Sequence, residues 1–120
     1  MSISNYGELA FLNTLRGTSY AAAGAYVKLH IGDSGEDGTA SPAANTTRQS
    51  VTFSAASGGS LASSSTPTWT NVPNTEVYSH WSLWDAVTAG NCLWTGALSS
   101  TASVVSGDTF QITSLTLTLD

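Results

Sequence analysis

The fold of this chain is decided by residues 77–84, which read VYSHWSLW. In an extended strand, successive side chains point to opposite faces of the sheet. The stretch therefore divides into two sets, with Val77, Ser79, Trp81 and Leu83 on one face and Tyr78, His80, Ser82 and Trp84 on the other. Because both faces carry apolar residues, the stretch predicts a central strand that is covered on both sides.

Shorter strand patterns surround this one, with turn residues about every ten positions. The turn Ala89-Gly90-Asn91 predicts a hairpin that pairs residues 77–84 with residues 92–98. Other strands are predicted at residues 26–31, 48–53, 60–65, 67–73, 104–105, 109–112 and 115–119. The series predicts an all-β fold, a single-domain antiparallel β-sandwich or small barrel of the jelly-roll or immunoglobulin-like kind. In the two outer strands, Ile31 and Leu119 are expected to point inward.

One short helix is predicted before the strands, at residues 5–16. Asn5 is the expected N-cap, Glu8 follows three positions later as in a capping box, and Gly17 supplies a C-terminal stop. A helix of about three turns is marginal by itself, so it must dock on its own domain or on a neighbour. The chain is therefore divided into an N-terminal helix and arm, residues 1–25, and an antiparallel β-domain, residues 26–120.

The charge balance limits the kinds of partner. The 120 residues include 3 Lys+Arg and 8 Asp+Glu, which gives a net charge of −5. Nucleic acids and anionic membranes both attract clustered cations, so neither is an expected partner. Cys92 is the single cysteine and has no partner for an intramolecular disulfide. No Lys or Arg precedes Arg16, so we expect no secretory signal and synthesis in the cytoplasm.

Two polar patterns in residues 32–45 resemble functional sites. Gly-Asp-Ser-Gly at residues 32–35 resembles the nucleophile segment of chymotrypsin-like proteases, but the chain is too short for the two barrels that place such a triad. We therefore interpret Ser34 as part of a polar turn. The acidic side chains could offer oxygen ligands to Ca²⁺, but a calcium loop would lack two of its ligands, and a solvated loop is favoured. These acidic residues are Asp33, Glu36, Asp37 and Asp85.

The histidines and tryptophans also admit two interpretations. His30 and His80 would need a third ligand to hold a metal, for which Cys92 is the candidate, and structural histidines are favoured. We therefore expect no catalytic, cofactor-binding or metal-ligating residues and no cofactor. Sugar stacking is the alternative to core packing for the tryptophans, which are Trp69, Trp81, Trp84 and Trp94. Trp81 and Trp84 have opposite parity, so one is expected in the core and the other toward a partner.

Five segments, in order along the chain, carry a family resemblance. They are residues 26–40, 48–56, 81–86, 93–98 and 105–110. Their order and spacing resemble small virion structural proteins of tailed bacteriophages, a family that includes proteins described as tail-fibre-like, minor head or capsid decoration proteins. Ser34 stands where many relatives have proline.

The resemblance implies a virion structural protein, which would be made in the host cytoplasm. We expect no enzyme, because no constellation supplies a nucleophile, a base and an oxyanion donor together. The first interpretation is a capsid decoration (cement) protein, which binds the major capsid protein on the outer surface of the shell as a homo-oligomer such as a trimer. It would stabilise the shell by mass action, because it binds only the assembled form. The alternatives are a tail-fibre or tail-tip subunit and, outside virion proteins, a carbohydrate-binding module. The N-terminal helix and residues 32–45 are the predicted contact elements.

Overall fold

A five-stranded antiparallel sheet dominates the computed structural model of the chain, which describes residues 2–119. Its strands are β1 (Ser2–Ile3), β2 (Tyr26–His30), β3 (Gln49–Ser50), β6 (Glu76–Trp84) and β7 (Cys92–Val104), in the spatial order β1-β7-β6-β2-β3. Two small sheets pair β4 (Ser60–Ala62) with β9 (Thr116–Thr118) and β5 (Thr68–Trp69) with β8 (Phe110–Gln111). The helix α1 (Asn5–Leu15) follows β1.

The main core lies between the large sheet and the two small sheets. Leu29 and Tyr78 contribute from the large sheet, while Trp69 and Leu117 contribute from the small ones, and all four side chains are buried. Two β layers that face each other across such a core form a sandwich. Strands account for 38% of the chain and one short helix accompanies them, so the predicted all-β antiparallel fold class is confirmed.

The predicted central strand, β6, lies between β2 and β7. Its predicted face assignment is wrong at the first residues, because Val77 is exposed whereas Tyr78 is fully buried in the core with Trp81. A register shift between Tyr78 and His80 explains the difference. A bulge of this kind reverses the alternation of side chains, so Tyr78 joins the face of Trp81 and Leu83.

The hairpin partner of β6 is longer than predicted. The expected strands at residues 92–98 and 104–105 merge into the single strand β7, with Val105 just beyond its end. The pairing jumps from His80 opposite Ala97 to Tyr78 opposite Ala102, so residues 98–101 face little more than Ser79. With this bulge, residues 92–104 form one continuous strand.

Two inward predictions at strand ends are also wrong. Ile31 and Leu119 are exposed because β2 ends at His30 and β9 ends at Thr118. The Ile31 N–H donates to Ser41 O and the Leu119 N–H donates to Gly59 O, so each residue lies one position beyond its strand.

The N-cap of the helix lies one residue earlier than predicted. Ser4, rather than Asn5, is the N-cap, and its hydroxyl oxygen accepts a hydrogen bond from the Gly7 N–H at 3.0 Å. The predicted stop is correct, since the helix ends at Leu15 and Gly17 adopts a left-handed φ of 91°. The division of the chain at residue 25 stays a prediction. Between residues 2 and 119, no helix has the length and apolar character needed to span a bilayer.

Candidate functional site

The start of the N-terminal helix is fixed to the sandwich by its backbone. The Ser4 N–H donates to Leu93 O at 3.1 Å, and the Ser4 hydroxyl donates to Cys92 O, both on β7. The Asn5 N–H donates to Glu36 O at 3.0 Å in the predicted contact loop, residues 32–45. The two elements predicted to contact a partner are therefore neighbours in the structure.

Gly7 determines how closely the helix approaches β7. It is the buried residue of the helix, and a Cβ built on it would lie 2.5 Å from Leu93 O and 2.9 Å from Ile3 Cγ1. Real side chains do not approach a backbone oxygen so closely, so a residue larger than glycine would push the helix away from the sheet.

The rest of the helix presents apolar side chains to solvent. Leu9, Phe11, Leu12 and Leu15 are 63%, 48%, 57% and 74% exposed. Single exposed apolar residues are ordinary, but several on one 11-residue helix form a contiguous patch. We call these four side chains the helix patch. Patches of this kind mark surfaces that a partner covers.

The arm after the helix folds back on its own chain. The Tyr20 ring packs edge-on against Tyr6 with 6.0 Å between ring centres, and its hydroxyl donates to Asp85 Oδ2 at 3.3 Å. Burial, followed by the negative charge of Asp85, raises the pKa of Tyr20 to about 12. These contacts tie the arm to the first turn of the helix and to the segment after β6.

The contact loop is held firmly against the sheet. At its C-terminal end, the Glu76 carboxylate accepts hydrogen bonds from the Ala44 and Asn45 N–H groups at 2.9 and 3.0 Å. In its middle, Gly38 has a φ of 75°, and a Cβ there would lie 2.5 Å from Cys92 Sγ. Gly38 is therefore buried against the sheet, whereas most of the loop residues remain exposed.

A buried hydrogen-bond relay lies beneath the loop. The His30 Nδ1 lies 2.9 Å from Ala40 O, which can only accept, so this nitrogen carries the proton. His30 Nε2 then accepts from the Ser82 hydroxyl at 2.7 Å, and Ser82 Oγ accepts from Trp84 Nε1 at 2.7 Å. Each polar atom has one partner of the correct kind, so a neutral His30 ties the loop to β2 and β6. Sequence reasoning missed this relay because strand parity shows shared faces but not ring orientation.

Two cationic side chains lie over the ring of Trp84, the last residue of the relay. The Arg48 guanidinium is 4.2 Å from the centre of the Trp84 ring, and Lys28 Nζ is 5.9 Å from it. Arg48 also donates to Ala86 O and Ala89 O at 2.8 and 2.7 Å. Burial first, and then the charge of Arg48, lower the pKa of Lys28. Arg48 therefore joins the sheet to the turn after β6.

The residues of the protease-like and calcium-loop-like patterns form local turns. Ser34 is buried, and its hydroxyl donates weakly to Gly35 O at 3.4 Å. Asp33 Oδ1 accepts from the Gly35 N–H, and Asp37 Oδ1 accepts from both the N–H and the hydroxyl of Thr39. Over residues 2–119, no group of three or more His, Cys, Asp or Glu side chains is arranged to hold a metal ion.

The two histidines and the cysteine share one face of the sheet but have separate partners. His30 and His80 are directly opposite each other across β2 and β6, and His80 Nδ1 is 2.8 Å from Ser79 Oγ. Cys92 lies opposite Trp84, and its thiol donates to Trp94 O at 3.5 Å. Burial is the main cause that raises the pKa of Cys92 to about 11.

Trp81 and Trp84 are not divided between the core and the surface as predicted. Trp81 packs in the main core, but Trp84 is also buried, under the contact loop and Arg48, so it does not face a partner. Trp69 is a core residue, and its indole N–H donates to Thr47 O at 2.8 Å. Trp94 is half-buried on β7 and its Nε1 has no hydrogen-bond partner among the described residues.

The β-sandwich carries an exposed apolar patch on its N-terminal helix. Comparison with protein families agrees with the phage resemblance. The family model described as Podophage GP4 fiber I protein gp80 matches residues 2–120, nearly the whole chain. The chain belongs to this family, and it is a small tailed-phage virion structural protein of the tail-fibre-like kind. No curated protein matches the chain.

Proposed function

We propose that this protein is a structural subunit of a podophage tail fibre. The single observation that carries the proposal is the match of a fibre-protein family over nearly the whole chain. That match supports the tail-fibre alternative better than the first interpretation, a capsid decoration protein. Membership of the family by itself supports the more general conclusion that the protein is a component of the virion.

The helix patch and the contact loop are the proposed attachment surface. The patch offers apolar area that water covers in the isolated chain, and burying it would contribute about 25 cal/mol per Å². The loop next to it adds the carboxylates of Glu36 and Asp37, both exposed, which favour a basic rim on the neighbouring virion protein. The hydrogen bond from Asn5 to Glu36 O keeps the two parts together as one surface.

Attachment, rather than catalysis, is the proposed mode of action. The contacts of His30 support this proposal, because both of its ring nitrogens and the hydroxyl of Ser82 hold the loop. A subunit that binds an assembled structure stabilises it by mass action, and several such contacts act together as multivalent binding. We further propose that copies of this chain associate with one another in the fibre.

The number of copies per particle tests the proposal. Quantitative mass spectrometry of purified virions, referenced to the major capsid protein, is expected to give about a dozen copies or fewer, as for a symmetric tail appendage. Electron microscopy of particles carrying a gold-labelled version should place the label at the tail. Hundreds of copies with label on the shell would instead identify a decoration protein and overturn the fibre assignment.

A further inference from the structure

One side of the sandwich is closed by its own chain. Phe53, just after β3, forms a bridge with Ser63 in the second layer. Nearby, the Ser64 N–H donates to Thr52 O at 2.8 Å, and the Thr52 N–H donates to Ser65 Oγ at 2.9 Å. The β3 edge of the large sheet is therefore joined to the opposite layer.

The other side, along β7, is left open. β1 pairs with Thr95 and Trp94 alone, so the edge of β7 beyond Thr95 has no neighbouring strand among residues 2–119. Residues 98–101 also lack regular partners in β6 because of the register jump. The stretch 97–104 reads ALSSTASV, without charge or proline. Edge strands normally carry such features to prevent pairing with other chains, and this one lacks them.

A groove of about 450 Å³ lies beside this open edge and is lined by Trp81, Leu98 and Phe110 among others. Residues 97–100 of β7 all contribute to its lining. A second groove, of about 280 Å³, touches β7 only at Trp94, where β1 is paired, so it lies away from the open edge. The larger groove is therefore the apolar surface that accompanies the open edge.

The charge distribution indicates what can pair with the open edge. The groove beside residues 97–102 is lined by no Asp, Glu, His, Lys or Arg side chain, whereas the pocket at Thr95–Ala97 is lined by Asp33 and Glu36. The chain has a net charge of −5, and the helix and contact loop carry most of the nearby carboxylates. Two copies that met through those surfaces would bring like charges together, whereas residues 98–103 let them approach without opposed carboxylates.

We infer that the open β7 side is where a second copy of this chain docks, through antiparallel pairing of the two β7 edges at residues 98–103. The pairing is isologous, because the same edge serves both copies. It joins the two large sheets, supplies partners for the outward-facing backbone groups of residues 98–103 and covers the groove beside them. The inference deepens the proposed function, on which it rests for the association of copies, and leaves the helix patch for a different virion protein.

Sedimentation equilibrium of the purified full-length chain tests the inference. The wild-type chain is expected to dimerise or to form an assembly built on that dimer. Thr101→Lys places a charge on the exposed edge near the centre of the pairing, and is expected to raise the dissociation constant about tenfold or more. Ser50→Lys, at an exposed residue of β3 on the other side of the same sheet, is the matched control and should leave the constant within about twofold of wild type.

A second measurement does not depend on any variant. Hydrogen exchange of the amides of residues 98–101 should slow as the wild-type chain is concentrated, while the exposed amides of residues 87–89 should not change. A wild-type chain that stays monomeric, equal effects of the two lysine variants, or exchange independent of concentration would each overturn the inference. None of these outcomes bears on the number of copies in the virion, which tests the fibre assignment. Conversely, hundreds of copies on the shell would overturn the fibre assignment but would leave the β7 dimer standing.

Discussion

His30 Nε2 on β2 lies 2.7 Å from Ser82 Oγ on β6, and this one contact joins the contact loop, the sheet and the Trp84 ring. Because Ala40 O occupies the Nδ1 side, the ring is held in a single neutral tautomer. Burial is the main cause that lowers the pKa of His30, and the charge of Lys28 lowers it further. The fold therefore depends on an uncharged imidazole.

This dependence predicts a loss of stability in mild acid. The unfolded chain takes up a proton near pH 6.5, and the folded chain does so at a lower pH, so the stability is complete above about 6.5 and falls as the pH decreases toward the folded pKa. The slope is at most about 1.4 kcal/mol per pH unit for one group. Denaturant unfolding at pH 7, 6 and 5 measures it.

His30→Gln is the control for that pH series. It removes the titrating group, so its unfolding free energy should vary much less between pH 7 and 5. Asp37 and Asp85 have pKa values lowered from 3.8, mainly through hydrogen bonds in the case of Asp37, so their contribution is lost at lower pH still. An equally steep slope in His30→Gln would show that another group is responsible.

Ser82→Ala should destabilise the protein more than its size suggests. The change leaves the buried Trp84 N–H and His30 Nε2 without partners, at a cost of about 1–3 kcal/mol. Ser79→Ala, on the same strand, removes a hydroxyl that bonds to the half-buried His80 and should cost less than about 1 kcal/mol. Equal losses of unfolding free energy in the two variants would contradict the relay.

Gly7→Ala should weaken the protein although alanine is the better helix former. The intrinsic gain of up to about 1 kcal/mol is opposed by a Cβ placed 2.5 Å from Leu93 O. We expect a lower melting temperature and faster proteolysis within residues 4–17. The neighbouring Asn5→Ala, at an exposed position, serves as the control and should change stability by less than about 0.5 kcal/mol. A more stable Gly7→Ala protein would show that the helix does not rest on β7.

Leu12→Lys and Leu15→Lys should separate assembly from folding. Both side chains are exposed in the isolated chain, so melting temperatures should stay close to wild type. If the helix patch is the attachment surface, incorporation into particles should fall about tenfold or more, measured by mass spectrometry of purified virions. Val87→Lys, at an equally exposed apolar residue away from the helix, should be incorporated normally. Normal incorporation of both helix variants would assign attachment to another surface.

Alternation along residues 77–84 was sufficient to predict the central strand and its hairpin partner, because burial on both faces leaves a continuous apolar signal. It could not predict the bulge, which places Tyr78 in the core and leaves Val77 exposed. That bulge depends on the extra residues that β7 accommodates between Ala97 and Ala102, which is a property of the paired strands. The helix was predicted from its spacing and stop, and its N-cap was misplaced by one residue because Ser4 and Asn5 are equally good caps by type.

Composition and order of motifs by themselves determined the all-β class, the short helix and the phage-family resemblance, and they predict that the chain has no cationic binding surface. These depend on local periodicity and on charge counts, which every residue carries with it. Tertiary structure alone decided that Trp84 is covered, that His30 is neutral, that the helix leucines face solvent and that the β7 side stays open. Each of these depends on which distant segments meet, and a side-chain contact between residues 52 positions apart, as between His30 and Ser82, leaves no trace in local sequence.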